Sequence, residues 1–321
     1  MSDAPSEFEL ISKYFSPLAT NEAALALTDD ACLLKQNADC DLVVTTDALV
    51  AGVHFFAGDS ANLIASKALR VNLSDLAAKG AKPSGYLLAL ALPRPIENAW
   101  LECFARGLSE DQNEFGISLL GGDTTATPGP LTLAITALGH VPSGGMIRRS
   151  GARPGDGVYV SGTIGDAGAG LALLRGELPS DADTNFLIDR YRQPIPRLAL
   201  GAALRGVATA ALDVSDGLIA DLGHIADVSA VRIVVQADYV PRSNVVHRLW
   251  PGVEGILRAA TSGDDYEIAF TAQSEAAALE AGRKAGVAVT MIGRVEEGLG
   301  VALLDEAGRE VPLTRSGYTH F

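Results

Sequence analysis

Residues 42–47 read LVVTTD, residues 60–83 read SANLIASKALRVNLSDLAAKGAKP and residues 86–92 read YLLALAL. The first run is rich in β-branched residues and ends in a carboxylate, as a strand feeding a loop does. In the second, Ser60 reads as a helix N-cap and Gly80 with Pro83 as a stop, which predicts a helix to about Lys79. On that helix Leu69, Leu73, Leu76 and Gly80 make the buried stripe. Asn72, Asp75 and Lys79 lie on its flank, where a site rather than a core can use them. The third run is a short apolar strand. Strand, helix and strand in this order read as mixed α/β (α+β).

The same punctuation continues outward. A helix is expected from about Glu97 to Glu114, then a short strand Ile117–Leu120 running into the loop GGDTT at 121–125. In Leu131–Leu138 large Leu131, Leu133 and Ile135 alternate with Thr132, Ala134 and Thr136, so this strand has two different faces. Residues 142–156, PSGGMIRRSGARPGD, are rich in Gly, Pro and Arg and mark a boundary, giving domains at 1–148 and 149–321. In the second, strands are expected at Val158–Ser161, Thr209–Asp213, Tyr266–Thr271, Val287–Val295 and Val301–Leu304, and helices at Ala167–Arg175, Leu218–Asp227 and Glu275–Ala285. Asp189–Arg197, with its PIPR, reads as an irregular connector.

Composition narrows the function classes. The 321 residues are 48% hydrophobic and 20% charged, which suits two folded domains and excludes disorder. A formal net charge of −14 with no Lys/Arg run argues against nucleic acid and against anionic membranes as partners. No apolar run spans a bilayer, and MSDAPSEFEL lacks the features of a secretory signal, so the expected location is cytoplasmic. Cys32, Cys40 and Cys103 form no CxxC, and the five histidines show no HxxxH. Reduced thiols and no zinc site are the expectation.

What remains is a series of aspartates at the ends of elements: TDDAC (Asp29, Asp30), TTDALVAGVHF (Asp47), VNLSDLAAKG (Asp75), GGDTT (Asp123) and DVSDGL (Asp213, Asp216). Any one of them can be a turn former or a cap. Gathered together, unpaired carboxylates repel unless cations neutralise them, and all-oxygen ligands select hard ions, Mg²⁺ above all beside phosphates. In DVSDGL, Asp213 ends a strand and Ser215 or Asp216 opens a helix, whose free N–H groups suit a phosphate. There is no GxxxxGK[ST], no HRD…DFG pair and no complete GxGxxG after a strand. If ATP is handled, metal ions carry the charge stabilisation.

TTDALVAGVHF, KALRVNLSDLAAKGA, GGDTT, RSGARPGD, DVSDGL, SGDDYE and the terminal GYTHF, in this order, closely resemble the thiamine-monophosphate kinase family, from about residue 8 to residue 321. DVSDGL and GGDTT alone indicate only the wider superfamily that includes aminoimidazole ribonucleotide synthetase. The resemblance implies a two-domain fold of that superfamily, the N-terminal domain binding metal and nucleotide and pairing into a β-barrel across a homodimer, and the C-terminal α/β domain completing the site. It implies ATP-dependent phosphorylation of thiamine monophosphate to thiamine diphosphate, with several Mg²⁺ ions and ATP as co-substrate. By motif match Asp30, Thr45, Thr46, Asp47, Asp75, Asp123, Asp213 and Asp216 resemble metal ligands, and Gly122, Asp123, Arg149 and Ser215 ATP contacts. His54, Asp264 and Tyr318 resemble thiamine phosphate contacts. The family usually has Gly-Asp-Asp where this chain has Thr28-Asp29-Asp30, and Glu where it has Asp264.

The implied chemistry fits the residues. A phosphate monoester with a second pKa of about 6 is mostly a dianionic nucleophile at neutral pH, so no general base is required. Aspartate-held cations screen and align the reactants, with Asp123, Asp216 and the donor fork of Arg149 in support. The Tyr318 ring suits a cationic thiazolium. Two rivals stay open: another ATP-using enzyme of the superfamily and a non-catalytic nucleotide-binding regulator.

Overall fold

Leu133 and Ile135 are fully buried while Thr132, Ala134 and Thr136 between them are partly exposed, so this strand does present two faces, one dry and one wet. In the computed structural model, which describes residues 7–27, 31–35, 37–313 and 317–318, it is one of four strands in the first of two units. That unit comprises Met1–Leu76 and Lys82–Gly144, and the second comprises Ala77–Ala81 and Gly145–Phe321.

The first unit contains α1 (Glu7–Leu10), β1 (Cys40–Val50), α2 (Ala61–Ala78, its last turn counted with the second unit), β2 (Lys82–Pro93), α3 (Asn98–Phe115), β3 (Ser118–Thr127) and β4 (Thr132–Pro142). The strand order is β1-β4-β2-β3, with β4 antiparallel to both neighbours and β2 parallel to β3. α2 and α3 are tied together by Arg70, whose Nη2 and Nε donate to Asp111 at 2.7 and 3.0–3.1 Å, and by Ser66 Oγ at 2.8 Å from Asp111 Oδ2. α3 is fastened to β3 where Leu119 N donates to Gln112 Oε1. On β1, Val43 and Leu49 are buried, whereas Leu42 and Val44 are 49% and 55% exposed.

Two expectations are corrected here. GGDTT is no loop: it lies inside β3, because its two threonines are good strand residues and the ladder to β2 runs on to Pro93↔Thr127. Asn72 is not on an open flank but fully buried, its amide donating to Ala68 O at 3.0 Å. Leu69, Leu73 and Leu76 are fully buried as the stripe required.

The second unit contains β5 (Gly157–Ser161), α4 (Asp166–Leu174), α5 (Asn185–Arg192), α6 (Leu198–Leu204), β6 (Ala210–Asp213), α7 (Leu218–Ser229), β7 (Arg232–Gln236), α8 (Asn244–Leu249), α9 (Gly252–Ala260), β8 (Ile268–Ala272), α10 (Glu275–Ala285), β9 (Val289–Glu296) and β10 (Gly300–Leu304). Its six-stranded sheet has the order β10-β7-β9-β5-β8-β6 and only β10 and β7 run parallel. Both faces are covered. Val158, Val160 and Leu212 join the core under α7, while Tyr159, Ala211 and Phe270 join one with Leu200 and Leu204 of α6. A sheet buried on both sides reads as continuous apolar runs, which is how these strands look in sequence. Asp189–Arg197 is not wholly irregular, since α5 reaches Arg192 by burying Leu187 and Tyr191 four residues apart. Among the described residues all three cysteines are free and no helix is long and apolar enough to cross a membrane.

The two faces of β4 are testable. Ile135→Ala is expected to lower stability by about 2–5 kcal/mol, and Thr136→Ala by less than about 1 kcal/mol. Urea denaturation of both variants measures the difference; equal losses would contradict the assigned register.

Candidate active site

In the first unit three of the expected metal ligands converge. Thr45 and Asp47 are two apart on β1 and therefore share the face that carries buried Val43 and Leu49. The Thr45 hydroxyl donates to Asp75 Oδ2 of α2 in a short hydrogen bond. Burial, and then the charge of Asp75, push the Asp47 carboxyl up to about 6 from its ordinary 3.8. Such a pair is uncompensated oxygen chemistry, the donor set a hard divalent cation requires.

Thr46 is on the opposite face, where its hydroxyl accepts from Thr136 Oγ1 at 3.1 Å. Asp123 is exposed on the outer strand β3, in register with Ala89, and lies three strands from β1. That is about 14 Å of sheet from the strand of Asp47. Gly122 precedes it on the same strand. His54 lies in the turn after β1, half-buried, and its Nδ1 accepts from Val50 N at 3.0 Å. In the neutral ring the proton is then on Nε2. Asp30, with Thr28 and Asp29, lies outside the described residues.

In the second unit, three motifs distant in sequence meet on the main chain of residues 214–216. Asp264 N donates to Ser215 O at 2.8 Å, Tyr266 N to Val214 O at 2.8 Å and Tyr318 N to Asp216 O at 2.9 Å. DVSDGL, SGDDYE and GYTHF are thereby joined, bringing Ser215, Asp216, Asp264 and Tyr318 together. The glycines of the two docking segments permit the approach: a Cβ on Gly263 would be 2.4 Å from Ser215 O, and one on Gly317 2.5 Å from Asp216 O. Tyr318 is 41% exposed. Arg149 is exposed next to Arg148, whose carbonyl accepts from Ala211 N of β6. Asp213, at the end of β6, is 6% exposed.

The acidic residues after Asp264 hold this arrangement from behind. Asp265 is fully buried and accepts from Gly165 N and Ala167 N at the start of α4, at 2.7 and 3.1 Å; burial raises its carboxyl well above the usual range. Glu267, also fully buried, receives Arg190, Arg197 and Ser161. Asp264, just before the first of these anchors, and Tyr266, between them, take left-handed backbone conformations, φ +69° and +51°.

The N–H groups expected to bind phosphate are not free. Ser215, Asp216 and Gly217 all donate to Asp221 Oδ2, at 3.1, 3.0 and 3.1 Å. Asp221 was missed as a site residue, as was His224; Asp216, Asp221 and His224 offer ligand atoms all within 4.8 Å of one another, and Asp213 does not join that group. An aspartate and a histidine three apart on a helix share a face, and the spacing D-L-G-H at 221–224 is the signal that could have found them. Burial and the charge of Asp216 push Asp221 up to about 7, against the three N–H donors that lower it.

Comparison with known proteins accords with two units. Residues 28–141 match the family described as AIR synthase related protein, N-terminal domain, and residues 153–306 the one described as AIR synthase related protein, C-terminal domain. The thiamine-monophosphate kinase of Caulobacter vibrioides is 47% identical over 98% of this chain and 91% of its own length. The crystal structure of thiamine-monophosphate kinase from Stenotrophomonas maltophilia K279a is 42% identical, covering 89% of this chain and 91% of that one with a TM-score of 0.81. AaThiL complexed with AMPPCP and TMP is 31% identical over 98% of this chain and 97% of that one, TM-score 0.79.

Asp47 has a measurable pH signature. Its folded pKa of about 6 exceeds the ordinary 3.8, so the folded state binds the extra proton between these values and stability falls as pH rises through that window. In EDTA, Asp47→Asn is expected to flatten this fall and to raise Tm at pH 7.5, as read by scanning calorimetry. An unaltered pH profile would refute the burial and charge coupling.

Proposed function

The chain belongs to the thiamine-monophosphate kinase family, and from this premise we propose that it transfers the γ-phosphoryl group of ATP to thiamine monophosphate, giving ADP and thiamine diphosphate. The observation that carries this reading is the match, over nearly the whole chain, to a structure of AaThiL complexed with AMPPCP and TMP. The joining of DVSDGL, SGDDYE and GYTHF on one stretch of main chain supports it.

The donor chemistry fits Mg²⁺. Thr45, Asp47 and Asp75 in the first unit, and Asp213 and Asp216 in the second, would hold such ions, with Asp123 and Asp30 as further carboxylates. When bound, the ions would supply the positive charge that lets two anionic reactants approach. Asp264 and Tyr318 bind and orient thiamine phosphate; the partly open Tyr318 ring offers a face to the cationic thiazolium. His54, in the turn after β1, is a further contact to the same substrate. Arg149 and Ser215 contact the nucleotide. The acceptor phosphate is already the nucleophile, so no residue needs to remove a proton.

A homodimer is part of the proposal. On β1, Leu42 and Val44 are exposed, and Thr46 and Ala48 continue the same exposed row. Apolar strand residues open to water are suited to pairing with a second copy. Val44→Glu is expected to convert a dimer to a monomer in analytical ultracentrifugation; a wild-type monomer would refute the pairing.

The activity is tested by incubating the protein with ATP, Mg²⁺ and thiamine monophosphate and separating thiamine diphosphate by chromatography. Product is expected, EDTA stops it, and restored Mg²⁺ recovers it. Asp123→Asn is expected to reduce kcat at least ~100-fold, as loss of charge stabilisation in transfer sites does. Binding of ATP without any turnover by the wild type would overturn the reading.

A further inference from the structure

Asp221 is a buried group to which the proposed reaction gives no part. It is 3% exposed and sits in the first turn of α7, one turn beyond Gly217. Gly217 is the N-cap and has no side chain with which to cap the helix. The usual remedy is an oxygen from a capping Ser, Thr or Asp; here the oxygen comes from inside the helix and reaches back. One atom, Asp221 Oδ2, takes three successive N–H groups at 3.0–3.1 Å.

The opposite ends of the same peptides decide what this does. In a trans peptide the C=O and N–H point in opposite directions. The peptide joining Ser215 to Asp216 gives its N–H to Asp221 and its C=O to Asp264 N. The peptide joining Asp216 to Gly217 gives its N–H to Asp221 and its C=O to Tyr318 N. Two consecutive peptides are thus clamped at both ends, inward on one carboxylate oxygen and outward on segments from two other motifs. Asp216 stands between them and cannot rotate its backbone without breaking bonds on both sides.

We infer that Asp221 is a positioning residue: its single oxygen occupies the donors that would otherwise cradle a phosphate, and through two peptide planes it sets Asp216, Asp264 and Tyr318 relative to one another. The inference rests on the reading of these three residues as cation and thiamine phosphate contacts. What matters in it is where the oxygen is, not its charge. Asp221→Asn can keep an oxygen in the same place, whereas Asp221→Glu keeps the charge and moves the oxygen by one carbon.

The test compares wild type, Asp221→Asn and Asp221→Glu in steady-state assays and in amide hydrogen exchange of residues 215–217. Asp221→Glu is expected to lose ~10–100-fold in kcat/KM for thiamine monophosphate, the usual cost of disturbing an outer support. Its amides should exchange faster, while Asp221→Asn stays closer to wild type in both readouts. Should Asp221→Glu not fold, Asp221→Ser, whose hydroxyl stops short of the three donors, takes its place. An Asn variant as impaired as Glu or more so would overturn the inference and indicate a role for charge. So would exchange at 215–217 that is the same in all variants. A wild type that makes no thiamine diphosphate would remove the proposed reaction, and hydrogen exchange would still decide whether Asp221 holds the turn.

Discussion

Like charges in a poorly solvated place resist one another, and the first unit has placed two of them together. Asp47 is held near Asp75 on a face it shares with Val43 and Leu49, and its carboxyl is pushed up to about 6 as a result. The Thr45 hydroxyl donates a hydrogen bond to Asp75. Because the Asp47 carboxyl is raised, the folded chain loses stability as Asp47 ionises. On the proposed reading, a divalent cation held here would turn that repulsion into affinity, because the two charges would share a counter-ion. Asp216 and Asp221 repeat the pattern in the second unit, where one raises the other.

This arrangement differs from the familiar way a strand-to-helix turn binds phosphate. Such turns leave their N–H groups open and add a lysine. Here β6 also runs into a turn and then α7, but the turn is filled by the chain's own Asp221, and no lysine follows. A phosphate would meet a carboxylate there rather than bare donors. Under the proposed reaction, positive charge would arrive on ions or on Arg149, in keeping with the net charge of −14. The turn's role becomes geometric: its carbonyls tie in Asp264 and Tyr318.

Much of this was legible in the residues. Alternation over Leu131–Ile135 and the Leu69–Leu73–Leu76 stripe located the first sheet's dry face and its helix because those patterns depend only on local periodicity. Asn72 misled because the helix is covered nearly all round, so polarity at i+3 from a leucine did not mean water. GGDTT misled because glycines look like a turn, whereas its placement depended on a ladder to β2, a partner some 35 residues earlier that no local window contains. Among the residues expected in the site, Thr45, Asp47 and Asp75 are brought together, and so are Ser215, Asp216, Asp264 and Tyr318. Asp221 was only partly legible: the spacing D-L-G-H points to a face shared with His224 and not to the capping of the turn. Its significance lies in backbone groups it receives, and a motif search reads side chains.

Asp264, as a residue type, suits the backbone it occupies. It has φ +69°, in the left-handed region where Asp, Asn and His are several-fold enriched over other side chains. The conformation is imposed from both sides: its own N–H is bound to Ser215 O, and the next residue is locked by two N–H groups of the α4 start. A glutamate in that place has greater reach but no short oxygen to offer its own backbone, which is what eases an aspartate into the left-handed region. The shorter residue therefore trades reach for a more comfortable turn. On the proposed reading, in which Asp264 contacts thiamine phosphate, lost reach would be made up by the segment that carries Tyr318, fixed to the adjoining peptide of the same turn. Length at one position and placement at the other are thus coupled through Ser215 and Asp216.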